Sequence, residues 1–204
     1  NEIVSLMTPI IKSFFTDIGM EITNDAIQVF GGYGYTKDQG IEQLFRDNRI
    51  TPIYEGTNSI QAIDLVYRKI LNNKIFHNYI SEITNEVKEI AKDEKLTLFA
   101  EKFFKYLELL NNFTLWLSEK NKTSRDDVSA SCNDYLKVLG YVALAHTWLK
   151  ILKVSYFKLN NNKTFFEDKI NTAKYYFDKI LPRAQSHYLS AITGSDTMMK
   201  SNFN

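Results

Sequence analysis

Apolar residues recur at three- and four-residue steps through most of this chain, and that spacing restricts it to packed helices more than any other feature. Ile3, Leu6, Met7, Ile10, Ile11, Phe14, Phe15, Ile18 and Ile22 place an apolar stripe on one face of a first helix. This helix is expected to run to Phe30 and to stop at Gly31 and Gly32, because glycine takes up helix-ending left-handed geometry at little steric cost. A loop through Gly40 leads to a short helix with Ile41, Leu44 and Phe45 inward, ended before Pro52 because a residue preceding proline disfavours helical geometry. Another helix covers about 58–71. Beyond Asn72 and Asn73, core-facing stripes continue through Ile75, Tyr79, Ile83, Val87 and Ile90, then through Leu98, Phe103, Leu107, Leu110 and Leu117. The polar stretch 119–127 signals a loop, a long helical pattern follows over about 128–159, and Asn160 to Lys163 break it. A last helix over about 164–192 contains Pro182, which should kink or divide it. No stretch alternates with the period of a strand. The predicted fold is all-α, a bundle over 1–71 packed against a second helical region over 75–196, with a tail at 197–204.

Composition narrows the function classes. With 44% hydrophobic and 24% charged residues, 204 residues are enough to bury a core. A net charge of +1, with lysines interspersed among acids, argues against nucleic-acid binding. The sequence reads as lacking an apolar run near the roughly 20 residues of a membrane span, and its start lacks a secretion signal. Cys132 is the sole cysteine, which rules out an internal disulfide and points to a reducing cytoplasm. It has no partner base nearby in sequence, and His77, His146 and His187 lack co-ligands at metal-binding spacing.

The chemistry-bearing stretch is Ile50-Thr-Pro-Ile-Tyr-Glu-Gly-Thr-Asn-Ser-Ile-Gln61, which sets Glu55 beside Gly56 at a break between helical patterns. Pro52 lacks a backbone donor, Gly56 lets a bound molecule approach the main chain, and Thr57 can cap the next helix. Taken alone, this fits equally well a ligand-facing carboxylate and a structural acid near a helix start. Upstream lie Gln28-Val-Phe-Gly-Gly-Tyr-Gly-Tyr35 and Glu42-Gln-Leu-Phe-Arg-Asp-Asn-Arg-Ile50. The glycines follow a helix with no strand before them, unlike a Rossmann loop or a P-loop. Arg46, Asp47 and Arg49 are expected to form ion pairs fixing the short helix against the bundle.

In this order, the three blocks from about Leu6 to Leu71 resemble the C-terminal part of the acyl-CoA dehydrogenases. The later stretch, from Tyr135-Leu-Lys-Val-Leu-Gly140 through Ala173 and Leu181-Pro182 to Gly194, is more diffusely similar to the additional helical region of larger bacterial members, including the methylthiopropanoyl-CoA type. The resemblance implies an FAD-dependent α,β-dehydrogenation of an acyl-CoA thioester with Glu55 as α-proton base and its backbone N–H as a donor to the thioester oxygen. It further implies acyl-CoA contacts at Tyr54 and Gly56, and FAD contacts at Gln28, Gly31, Gly32 and Thr57. A core tyrosine, a turn glycine and a helix C-cap are the plain alternatives for Tyr54, Gly56 and the glycine pair. Electron-transfer flavoprotein is the implied electron acceptor, and a homodimer or homotetramer the implied assembly, with a dimer favoured if the extra region covers a tetramer surface. The chain opens in mid-helix without Met, so a fragment is expected, preceded by the family's helical N-terminal domain and small β-domain and inactive by itself. An acyl-CoA oxidase and a non-catalytic helical module derived from the family are the competing readings.

Overall fold

The computed structural model describes residues 2–71 and 74–200, and all regular structure among them is helical. α1 spans Glu2–Phe30 and is followed by a short α2 (Gly32–Tyr35), a 3-10 turn (Lys37–Gln39) and α3 (Ile41–Asn48). α4 (Asn58–Asp64) passes into a π-helical segment (Leu65–Ile70), closed by Leu71 N–H donating to the Val66 carbonyl at 3.0 Å. α5 (Ile75–Ile90), α6 (Glu94–Lys120) and α7 (Arg125–Phe157) follow. α8 (Lys163–Tyr175) likewise ends in a π segment (Tyr176–Ile180), before α9 (Arg183–Ala191) and the short α10 (Asp196–Met199). Pro182 divides the last long pattern, since it cannot supply the N–H that would carry α8 into α9.

The helix starts follow from side-chain caps. Thr57, Asp93, Ser124 and Asn162 each accept a hydrogen bond from a backbone N–H of the first turn, satisfying groups with no partner inside the helix. α7 is the central element and packs against α1, α4, α5, α6, α8 and α9. Its consecutive residues Leu139, Gly140, Tyr141 and Val142 are all buried, so burial extends over more than one side, as expected of a helix inside a core. α1 crosses α7 where Phe14 sits against Gly140.

Several sequence expectations are corrected. The stretch between Gly31 and Gly40 holds α2 and the 3-10 turn rather than an irregular loop. Leu44 and Leu98 point outward, at 57% and 59% exposed, because Phe45, and Leu96 with Phe99, occupy the inward positions. The α1 stripe is only partly used: Leu6, Ile10 and Phe14 are buried, whereas Ile3, Ile11, Phe15 and Ile22 are exposed. Against the sequence reading, α1 is long and apolar enough by composition to cross a membrane, but Lys12 and Asp17 in its middle make polar contacts with α4 and α7. Arg46 pairs with Glu42 of its own helix at 2.7 Å instead of tying that helix to the bundle. The predicted break at Asn72 and Asn73, and the end of the tail beyond residue 200, lie outside the described residues.

The C-terminal segment is fastened by one carboxylate. Asp127 Oδ1 accepts from the Ser195 N–H at 2.9 Å and its hydroxyl at 2.8 Å, while Oδ2 accepts from Lys120 Nζ at 2.9 Å. Gly194 (φ +78°) permits the approach, since a Cβ there would stand 2.9 Å from Asp127 Oδ1. The Lys120 ammonium and the two Ser195 donors hold the Asp127 carboxyl well below the usual carboxylate range. Because the unfolded chain binds this proton at higher pH than the folded one, the stabilisation is full above about pH 4 and is lost as pH falls toward the folded value. Asp127→Ala is expected to cost about 2 kcal/mol in urea unfolding at neutral pH, and its deficit relative to the parent should shrink on acidification. A deficit that does not change with pH would contradict the assignment.

Candidate functional site

The loop between α3 and α4 is built around two adjacent left-handed residues. Ile53 and Tyr54 N–H groups turn back onto the Ile50 carbonyl at 2.9 and 3.1 Å, and Asn58 N–H reaches the Pro52 carbonyl at 3.1 Å. Between these turns Glu55 has φ +52° and Gly56 φ +84°, Glu55 being the one non-glycine residue with positive φ among those described. That geometry costs an L-residue roughly 1–2 kcal/mol and persists where neighbours over-determine it. The neighbours are identifiable. Lys12 Nζ donates to the Gly56 carbonyl at 2.7 Å, and Gln61 Nε2 to the Glu55 carbonyl at 3.2 Å. Both carbonyls are thus held, while the Glu55 and Gly56 N–H groups donate to nothing among the described residues. The Glu55 side chain is exposed, flanked by the half-exposed apolar side chains of Ile53, Tyr54 and Ile60.

Asn58 anchors the loop, a role that sequence reasoning missed. Its Nδ2 shares its two protons among the Ser13 carbonyl (3.1 Å), Thr16 Oγ1 (2.9 Å) and Asp17 Oδ1 (2.6 Å), and its Oδ1 accepts from Lys12 Nζ at 2.8 Å. Asp17 in turn pairs with Lys137 of α7. The one signal in the sequence was the presence of Asn58 directly after the Glu55-Gly56-Thr57 run; Lys12 gave none, being 46 residues away.

Of the predicted site residues, the fold brings Tyr54, Glu55, Gly56 and Thr57 together and sets Gln28, Gly31 and Gly32 apart. The loop is bound to α1 at Lys12, whereas Gln28 lies sixteen residues further along that helix, about 24 Å at 1.5 Å per residue. Gly31 (φ +60°) ends α1, and a Cβ at Gly31 or Gly32 would meet open space. Gly34 differs: a Cβ there would stand 2.7 Å from the Ile27 carbonyl, so that glycine serves the return of α2 onto α1. Thr57 Oγ1 accepts from Ile60 N–H at 3.4 Å, which leaves its own proton to donate outward. Away from this loop, His146 Nε2 lies 2.8 Å from Glu86 Oε2 and His187 Nδ1 2.8 Å from Asp134 Oδ1. Burial pushes the His146 pKa down against the pull of Glu86. Cys132 is buried on α7, and burial pushes its thiol up to about 12, far from a reactive thiolate.

Sequence comparison places the two parts of the chain. Residues 3–71 match the family model described as acyl-CoA dehydrogenase, C-terminal domain, and residues 82–202, more than half of the chain, match that described as acetyl-CoA dehydrogenase C-terminal like. The chain therefore belongs to the acyl-CoA dehydrogenase family, as the order of its motifs implied. Among curated relatives, 3-methylmercaptopropionyl-CoA dehydrogenase of Ruegeria pomeroyi is 43% identical over 67 residues, which are 33% of this chain and 11% of that protein. Cyclohexane-1-carbonyl-CoA dehydrogenase of Geobacter metallireducens is 53% identical over 60 residues, 29% of this chain and 16% of the relative. The short-chain-specific acyl-CoA dehydrogenase of Clostridium acetobutylicum is 45% identical over 65 residues, 32% of this chain and 16% of the relative. The chain thus spans between 11% and 16% of the length of these proteins.

Proposed function

We propose that this chain supplies the base-bearing wall of an FAD-dependent acyl-CoA dehydrogenase, in which Glu55 removes the α proton of an acyl-CoA thioester. The observation that carries the reading is the Glu55–Gly56 turn, strained, fastened by both carbonyls, and left with a free N–H and an exposed carboxylate on one residue. An α C–H beside a thioester is a feeble acid, so its removal needs a base within hydrogen-bond reach and a donor for the oxygen on which charge develops. Glu55 has both, the carboxylate as base and the N–H as oxyanion donor. Tyr54 and Gly56 line the acyl-CoA side, and Ile53 and Ile60 offer exposed apolar surface beside the carboxylate.

FAD, when bound, accepts the β hydrogen as hydride. The residues fit such a group: Gly31 and Gly32 leave open room beside the backbone, and the Thr57 hydroxyl keeps a proton to donate. By the resemblance to the family, Gln28, Gly31 and Gly32 would touch a flavin held mainly by a neighbouring subunit of a homodimer or homotetramer, and their distance along α1 from Glu55 is compatible with that. Electron-transfer flavoprotein as acceptor and a cytoplasmic setting complete the reading, and this chain alone is expected to be inactive. The test is exchange of the acyl-CoA α hydrogen in D2O, catalysed by the intact enzyme without any electron acceptor. Deuterium entering the α carbon at a rate that depends on Glu55 supports the proposal; exchange indifferent to Glu55 overturns it.

A further inference from the structure

α7 lies within the second matched stretch, yet it delivers a charge to the network beneath the Glu55 loop. Lys137 pairs with Asp17 Oδ2, 120 residues away in sequence, and the other oxygen of that carboxylate accepts from Asn58 Nδ2 at 2.6 Å. The opposite end of the Asn58 amide takes Lys12 Nζ at 2.8 Å, and the same ammonium holds the Gly56 carbonyl at 2.7 Å. Lysine can only donate and an ionised aspartate only accept, so the two ends fix which way the Asn58 amide faces. The pair is shielded enough to matter, with the Lys137 and Asp17 side chains 19% and 31% exposed. Lys137 Nζ also lies 5.8 Å from the centre of the buried Phe14 ring, beside the crossing of α1 and α7.

We infer that Lys137 is a positioning residue for the Glu55–Gly56 turn, acting through Asp17 and Asn58, so that the C-terminal helical region sets the geometry of a loop in the other part of the chain. Its functional consequence rests on the dehydrogenase reading, but the wiring itself can be tested without activity. In this chain, Lys137→Met should speed amide hydrogen exchange at Asn58 and Gln61 by about tenfold while α6 and α8 amides change less than about twofold. Lys137→Arg should restore the original rates. Asp17→Asn, which keeps the side chain's size but drops its charge, should give the same local signature if Lys137→Met folds poorly. In the intact enzyme, Lys137→Met should lower kcat about tenfold with KM nearly unchanged, and arginine should recover kcat. Unchanged exchange at Asn58, or a rise spread evenly over all helices, overturns the inference. Local exchange changes combined with a Glu55→Gln enzyme that still turns over would leave the wiring in place and remove Glu55 as the base instead.

Discussion

Replacing Glu55 with glutamine is expected to lower acyl-CoA oxidation by the intact enzyme by roughly two to four powers of ten, the usual worth of a positioned general base. Glutamine matches glutamate in size, so the left-handed turn, its carbonyl contacts to Lys12 and Gln61, and the free Glu55 N–H should all survive. What is lost is the capacity to take a proton. The loss should therefore fall on kcat, with acyl-CoA binding kept, the pattern of an interaction realised only as the proton moves. Steady-state turnover with an artificial electron acceptor gives the first quantity, and perturbation of the flavin spectrum by an unreactive acyl-CoA analogue gives the second. An oxidase would show the same dependence with dioxygen as acceptor, whereas a non-catalytic module would show neither turnover nor a flavin response. A Glu55→Gln enzyme within a few-fold of the parent removes the base from the argument altogether.

The helices were legible because burial repeats every three or four residues, and legibility failed where that rhythm was read too generously. Leu98 stands five residues before Phe103, a step that leaves the stripe; Phe99, four residues before it, is the inward residue. The wide apolar run of α1 looked like one face but spreads around the helix, and of the nine residues of that stripe only Leu6, Ile10 and Phe14 are buried. The two π segments left no periodic trace, since each shifts the register by only one residue. At the candidate site, the acid, glycine and capping threonine stood out because they are neighbours in sequence. Lys12, Asp17 and Lys137 could not, since polar contacts between helices depend on crossing geometry that one-dimensional spacing does not encode. Asp127 and Ser195, 68 residues apart, escaped notice for the same reason.

The crossing that brings those groups together is the contact of Phe14 with Gly140, and breaking it should have the largest effect on stability. Phe14 is fully buried and meets Tyr141 edge-on with ring centres 5.0 Å apart. Phe14→Ala is expected to cost about 3–5 kcal/mol, the range for removing a buried aromatic side chain, and to lower Tm on the order of 10 °C in a chain of this size. Gly140→Ala is the sharper test because two effects compete in sign. Inside a helix, alanine is favoured over glycine by about 1 kcal/mol. At this position the added Cβ would stand 2.6 Å from a Phe14 ring carbon, so the ring must leave its place. A crevice of about 170 Å³ lined by Ile11, Phe15 and Ala143 could take part of it, at the expense of the Tyr141 contact. Overpacking of this kind costs about 1–3 kcal/mol, so the net effect should be destabilising despite the gain in helix propensity. Adding Phe14→Leu to Gly140→Ala should then cost less than the sum of the single changes, since the smaller side chain leaves room for the new methyl. Calorimetry of the four proteins decides the matter: a Gly140→Ala chain that melts above the parent, with strictly additive effects in the double variant, would show that α1 and α7 do not cross at these two residues.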